Sequence, residues 1–415
     1  MARGKLFLIP PPIFLLKTTQ LIALFSACLS IAQLTSAQTN ISGIVNNYYK
    51  VIEVIPAKAC ARVNTTTGLG FNDKAMIIQM KGATINTTAT SSSFGDTTSL
   101  NNAGNYEIGT ICYIRGDSVF FDYFFLNNYT VADKVQLVRI PEYVSATVTD
   151  TLRAAPWNNT NGTGGVLAIY VDQDLVLNAP ISGDSSGYRG GMFELSNGTC
   201  SNIGAPTNYA YPAGTLTPQN GAYKGEGAAD ITNVNLTGGR GAPANGGGGG
   251  NNHNNGGGGG ANLAAGGDGG GNSSSSGCTV ATQGKGGKAL SSYGGKKIFM
   301  GGGGGAGHAN NGGANSNGGG HGGGIVFIKA NNLAGNGYKI SANGQVGGPA
   351  LSDGASGSGA AGTIIMNINN YVGTTIISAN GGQGGTEDDG LNLNHCYGSG
   401  GGGGGGAIYF SGAVP

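Results

Sequence analysis

The chain has 415 residues, of which 84 are glycine and only 10% are charged, with a formal net charge of +1. So sparse and balanced a charge excludes a nucleic-acid footprint and a polybasic membrane surface. Six cysteines scattered over this length exclude a compact disulfide framework, and no CxxC spacing supports a thiolate zinc site or redox dithiol.

In chain order, residues 1–37 read as an export leader. Arg3, Lys5 and Lys17 supply positive charge with no acidic residue among them. The apolar run Leu21 to Ala32 is shorter than the ~18 residues that cross a bilayer. Thr35 and Ala37 then precede a plausible cleavage point. The rival is a lipoprotein acylated at Cys28 in Phe25-Ser26-Ala27-Cys28. Without the leader the chain keeps 18 basic against 20 acidic residues and offers no later membrane span. A secreted or outer-surface protein is expected.

Residues 38–156 read as a small β domain, barrel-like or sandwich-like. Strand candidates are 73–82, 105–114, 118–126 and 134–143, rich in the Tyr, Phe, Ile and Val that suit half-buried pleats. Arg115-Gly116-Asp117 forms a hairpin turn between two of them, and Pro141 ends the last. The RGD triplet is explained by the turn itself. Position alone suggests pairing Cys60 with Cys112 and Cys200 with Cys278, leaving Cys396 over; oxidising surroundings permit this.

Glycine marks the next boundary. Residues 1–160 hold nine of the 84 glycines, so a second domain is expected over 157–415, starting at Trp157. It contains a repeat that begins at Gly165, Gly324 and Gly362, each copy running from glycine through an apolar strand and a polar turn to an Ile-Ser pair. The offsets to Ile181, Ile340 and Ile377 are 16, 16 and 15 residues, and a fourth copy starts at Gly406. Such recurrence is the signature of a solenoid, here a parallel β-helix with Ile340 over Ile377 and Asn343 over Asn380. Insertions at about 184–323 and 381–406 carry the glycine tracts. Gly loses much entropy on ordering, which favours a linker. Strand-like flanks, and the absence of Ser/Glu/Lys enrichment, favour packed helices of the polyproline II type. The fold expected is all-β: a small β domain followed by a β-helix-like solenoid with polyglycine II-like insertions.

Candidate site residues are few. His253, His308, His321 and His395 lie in or beside glycine tracts, so a folded bundle could gather them into a metal site, although none has HxxxH or HExxH spacing. Glu387, Asp388 and Asp389 form an acidic loop that could hold calcium. Asp172 and Asp174 alternate along one strand face, and β-helix polysaccharide hydrolases and lyases use paired carboxylates. No nucleophile, base and orienter occur as a set, so no catalytic residue and no cofactor are expected. Amide-rich solenoid faces suit surface glycans or other cell-surface proteins.

The segments DKAMIIQMKGATI, NNAGNYEIGTI, VQLVRIPEY, APWNNTNGTGGVLAIYV, GYRGGMF, KKIFMGGGGGAGH, NGGGHGGGIVFIKAN and ISANG together resemble secreted, adhesin-like or gliding-motility-associated proteins of the Bacteroidota. The resemblance spans nearly all of the mature chain and implies surface display by type IX secretion, without a reaction or ligand to carry over. No sorting domain precedes Pro415, so the sequence is expected to be an N-terminal region. A looser similarity links the glycine tracts to the glycine-rich ectodomain of some receptor tyrosine kinases. The resulting expectation is a structural or adhesive surface module; the alternatives are a carbohydrate-active β-helix enzyme and a ligand-binding ectodomain.

Overall fold

The chain is seen here in a computed structural model that describes residues 38–195, 207–213, 221–251, 253–272, 282–290, 296–310, 318–388 and 397–415. The leader with Cys28, and Cys200, Cys278, Cys396, His395 and Asp389, lie outside the described residues. Residues 38–415 form one unit. It is all-β, and no helix among the described residues is long and apolar enough to cross a membrane.

Six antiparallel strands close a barrel in the order Asn47–Ile55, Cys60–Val63, Ser118–Phe121, Tyr106–Arg115, Lys74–Gln79 and Val135–Ile140. Alternation fills it: Val51, Val63, Ala75, Ile77, Ile111, Val119 and Leu137 are all buried inside. Gly116 turns the hairpin with φ +61°, a conformation L side chains rarely adopt. Asp117, the last RGD residue, is tied to Arg62 at 2.7 Å. The second arm stops at Phe121 rather than Leu126. The Glu107 carboxylate takes the backbone N–H groups of Leu126 and Asn127, both at 2.8 Å, and folds that run over the barrel. The Cys60–Cys112 pairing is not made. Cys60 is buried on one strand, whereas Cys112 is exposed at a bulge on another, and both thiols are free.

The parallel sheet starts ahead of the glycine boundary at 157. Gln38–Gly43 and Ser145–Arg153, from either side of the barrel, pair with each other, and the latter seeds the solenoid. Pro141 is where the chain crosses over: Ile140 closes the barrel, while Glu142 and Tyr143 pair with Tyr170 and Val171. Val166–Leu177, Ile325–Ala334, Thr363–Val372 and Ala407–Phe410 then stack in parallel, with Val166 over Ile325, Thr363 and Ala407. Ile181, Ile340 and Ile377 stack as the repeat predicts. The asparagine ladder forms too: Asn343 Oδ1 accepts from Asn380 N at 2.8 Å, and Asn343 N donates to Asp184 Oδ1 at 2.6 Å.

One sheet face builds the solenoid core from Leu167, Ile169, Val326, Ile328, Ile364 and Met366. The first two rungs of the other face, with Val166, Ala168, Ile325, Phe327 and Ile365, pack on barrel residues Met76, Ile78, Val138 and Ile140. Amides lock the two layers together. Asn46 exchanges hydrogen bonds with Ala168, and Gln136 with Gly164, as a backbone partner would. Trp157 closes the seam, buried edge-on against Tyr188 with its Nε1–H given to Glu226.

The glycine tracts are ordered in their described parts, and they complete each coil rather than interrupt it. The chain leaves each Ile-Ser rung into one glycine segment and returns through another to the next long strand. Within 245–251 and 255–261 no backbone group bonds to another of its own segment; these segments bond sideways with a period of three. Along 245–251, Gly247 and Gly250 donate to Gly303 and Ala306, Gly248 and Asn251 to Lys285 and Thr282, and Gly249 to Gly239. Along 255–261, donors turn in succession to 270 and 267, to 355 and 358, and to 248 and 245. Three residues per turn and three bonding directions define a threefold extended helix inside a bundle. The backbone groups are thereby paired without side chains, as burial demands. Spacing explains the glycine: a Cβ on Gly303 would stand 2.0 Å from the Arg189 carbonyl oxygen, and one on Gly258 2.1 Å from that of Lys285.

One charged side chain is built into this architecture. The buried Lys224 ammonium donates to the carbonyls of Tyr209, Gly239 and Gly241 at 2.7–2.8 Å and sits 4.7 Å from the centre of the Phe94 ring. Burial alone pushes its pKa well down; three carbonyl dipoles and the ring face oppose that shift. Lys224→Met strands three buried acceptors and is expected to cost about 3 kcal/mol, measured by urea unfolding. A loss below about 1 kcal/mol would show that the cage carries no weight.

Candidate functional site

The barrel covers only the first rungs of the outer sheet face. The next rungs stay open and form a groove of about 250 Å³ lined by Tyr170, Val171, Asp172, Lys329, Ala330, Asn331, Asn367 and Asn369. Its position follows from register. Tyr170, Lys329 and Asn367 share one rung because the strands stack without offset up to Val171. Tyr170 lies 6.1 Å from the Phe327 ring, and the Lys329 ammonium sits 5.0 Å from the Tyr170 ring centre. Burial pushes the Tyr170 phenol up to about 12, with the charge of Glu142 adding. Glu142 itself is held above the usual carboxylate range by burial, and nearby Asp172 contributes to that rise against the pull of Lys74.

Beyond this rung the polar side chains form rows. Asn369 donates to Asn331 at 3.0 Å. A bulge between Val171 and Asp174 breaks the alternation expected of Asp172 and Asp174. Asp172 therefore lines the groove, whereas Asp174 accepts from Asn332 at 2.7 Å and heads a second row that continues to Asn370. The groove thus offers an aromatic face, an ammonium, a carboxylate and several amides on rigid strands. That set can stack the apolar face of a ring and hydrogen-bond hydroxyls around it. Residues 73–82 and 165–177 were legible as strands, but the barrel's coverage, which decides the rungs left open, has no signal in the sequence.

Of the candidate metal ligands, His253, His308, His321, Glu387 and Asp388 lie among the described residues. Among the described residues no three His, Cys, Asp or Glu side chains are placed to hold a metal ion. His253 and His308 are neighbours, close enough for the charge of His253 to act on His308. His308 Nδ1 accepts from Asn254 N at 3.4 Å. His321 lies elsewhere, accepting from Gly190 N at 3.0 Å. Glu387 and Asp388 form a short strand beside Ala350 and Leu351.

No family model matches the chain, and no curated protein matches it. Among solved structures, the chain is similar to the Gp54 tailspike of Acinetobacter baumannii bacteriophage AP22, in complex with A. baumannii capsular saccharide. The TM-score is 0.18 at 10% identity, over 91% of this chain and 58% of the tailspike chain. The chain therefore spans little more than half the length of that tailspike.

Proposed function

We propose that the protein is a secreted, surface-displayed structural and adhesive module that holds saccharide along the open rungs of its solenoid sheet. The observation that supports this reading is the groove at Tyr170. A ring face is set beside Asp172 and the Asn331–Asn369 row, on strands fixed by their neighbours in the stack. Sugars present an apolar ring face and a rim of hydroxyls, which this pairing of aromatic and amide groups complements. The packed glycine bundle would supply stiffness, a fitting property for a surface scaffold. In this reading the groove binds without turnover.

The test is a glycan array followed by titration calorimetry of a bound glycan. Tyr170→Ala is expected to weaken binding at least tenfold, and Asn369→Ala about threefold, consistent with the loss of a stacking ring and of one neutral hydrogen bond. The reading fails if the array shows no bound glycan, or if both variants bind like the parent. Release of reducing ends from the bound glycan would replace it with the hydrolase reading.

A further inference from the structure

A second hollow lies on the glycine bundle, away from the sheet groove. Two adjoining cavities, of about 200 and about 410 Å³, share Arg189, Gly190 and Met192. The first is also lined by Lys81, Lys224, Glu226 and Asp230, the second by His321, Gln345 and Val346. Together they form a trough of the size used for small ligands.

Its charges are nearly all spoken for. The buried Lys81 ammonium pairs with Asp230 at 3.3 Å. Lys224 is held by three carbonyls, as described above. The Glu226 carboxylate accepts from Trp157 Nε1 at 3.2 Å and from Arg189 N at 3.3 Å. Arg189 is left over. Its exposed guanidinium makes no ion pair or side-chain hydrogen bond among the described residues.

In the second cavity the remaining polar side chains offer donors. His321 Nδ1 is occupied by Gly190 N–H, so its ring proton is on Nε2. Burial and the Arg189 charge hold the pKa of this imidazole below its ordinary value, so the ring is neutral at pH 7. Gln345 Oε1 is occupied by His321 N, which leaves its amide N–H groups. Apolar surface lies alongside: Met192 is 56% and Val346 58% exposed. A planar guanidinium without a counter-ion, flanked by neutral donors, suits a carboxylate.

The backbone distinguishes the carrier of that carboxylate. Gly191 N donates to Gly304 O, Gly319 N to Gly191 O, Gly320 N to Gly357 O and Gln345 N to His321 O. A bound peptide would find few main-chain groups here to pair with, as strand addition requires. Hydroxyls and a carboxylate need only the side chains. We infer that the trough around Arg189 is a separate binding site for an acidic, uronate-type saccharide. The saccharide part of this assignment rests on the proposed function; the carboxylate part does not.

Calorimetry at pH 7 with a galacturonic acid trimer, the neutral galactose trimer and a glutamate-rich hexapeptide tests it. The acidic trimer should bind at least tenfold more tightly than the neutral one. Arg189→Gln should weaken it at least tenfold without moving the thermal unfolding midpoint, Arg189→Lys should weaken it less, and Tyr170→Ala should leave it unchanged. The inference is overturned if no acidic trimer binds, if the neutral trimer binds equally, or if Arg189→Gln has no effect. It is equally overturned if the hexapeptide binds more tightly than the sugar. Loss of acidic-trimer binding in Tyr170→Ala alone would move the ligand to the sheet groove.

Discussion

Gly258→Ala is expected to destabilise the protein by about 4 kcal/mol or more, the range reserved for disrupted cores. The added carbon would stand 2.1 Å from the Lys285 carbonyl oxygen and 2.4 Å from its carbon, with Gly286 N at 2.9 Å. All three are backbone atoms, so no rotamer change relieves the clash. One helix must move by about 1 Å, and in a period-three bundle that motion loosens bonds on every side. Gly258 N donates to Gly248 O and Gly258 O accepts from Gly305 N, both at 2.8 Å. Gly402→Ala is the matched control. It belongs to the same kind of helix, but its Cβ direction meets nothing within 4 Å. There alanine restricts the unfolded chain and should be neutral or stabilising by about 0.5 kcal/mol. Chemical unfolding of both variants decides the matter. Equal losses would mean that the glycine serves chain flexibility rather than close approach.

Acid should weaken the protein well before its carboxylates are titrated. Burial pushes the His308 imidazole from 6.5 down to about 3, and the charge of His253 reinforces the shift. Protonation would need a hydrogen on Nδ1, which already faces the Asn254 N–H. With the folded pKa below the unfolded one, the unfolded chain takes up a proton that the folded chain refuses. Stability is therefore full above pH 6.5 and falls as pH drops toward 3, by about 1.4 kcal/mol per unit for this one group. The total is about 5 kcal/mol, and half-buried His253 and His321 act in the same direction. Denaturant titrations at pH 7.5, 5.5 and 4.0 should show this slope, and His308→Gln should flatten it by about one proton. Identical slopes for parent and variant would remove His308 from the account.

The elements legible in the sequence were those with local periodicity. The Gly-to-Ile spacing set the stacking of Ile181, Ile340 and Ile377, because in-register parallel pairing copies sequence spacing into space. Alternating Val, Leu and Ile marked 135–140 for the same reason. What escaped depended on contacts between distant segments. NYYKVIEVI at 47–55 has a strand's alternation, yet only barrel closure shows that its partners are 60–63 and 135–140. The bulge that separates Asp172 from Asp174 is likewise set by pairing with a strand far off in the chain, and the cage around Lys224 takes its ring from distant Phe94. Arg189 in GYRGG looked like one more polar residue between glycines. Its significance lies in the absence of a described counter-ion, which a sequence does not display. The histidines drew attention through clustering in composition, and the bundle then sent His308 and His321 to different places.

The period-three bonding of the bundle also bears on when the protein can fold. Helix 255–261 takes bonds from 284 and 287 on one side, from 302, 305 and 308 on another, and from 401 and 404 on a third. Only 245, 248, 267 and 270, to which it donates, are near in the chain, and the helix has no internal bond of its own. Contacts closed only across long stretches of chain make folding slow and the transition abrupt. One of the helix's three sides is completed only by Gly401 and Gly404, near the end of the described chain. Once closed, no single helix can leave without breaking bonds to several others. Glycine, the residue that most favours an open chain, here sits where its backbone is paired on every side by other segments.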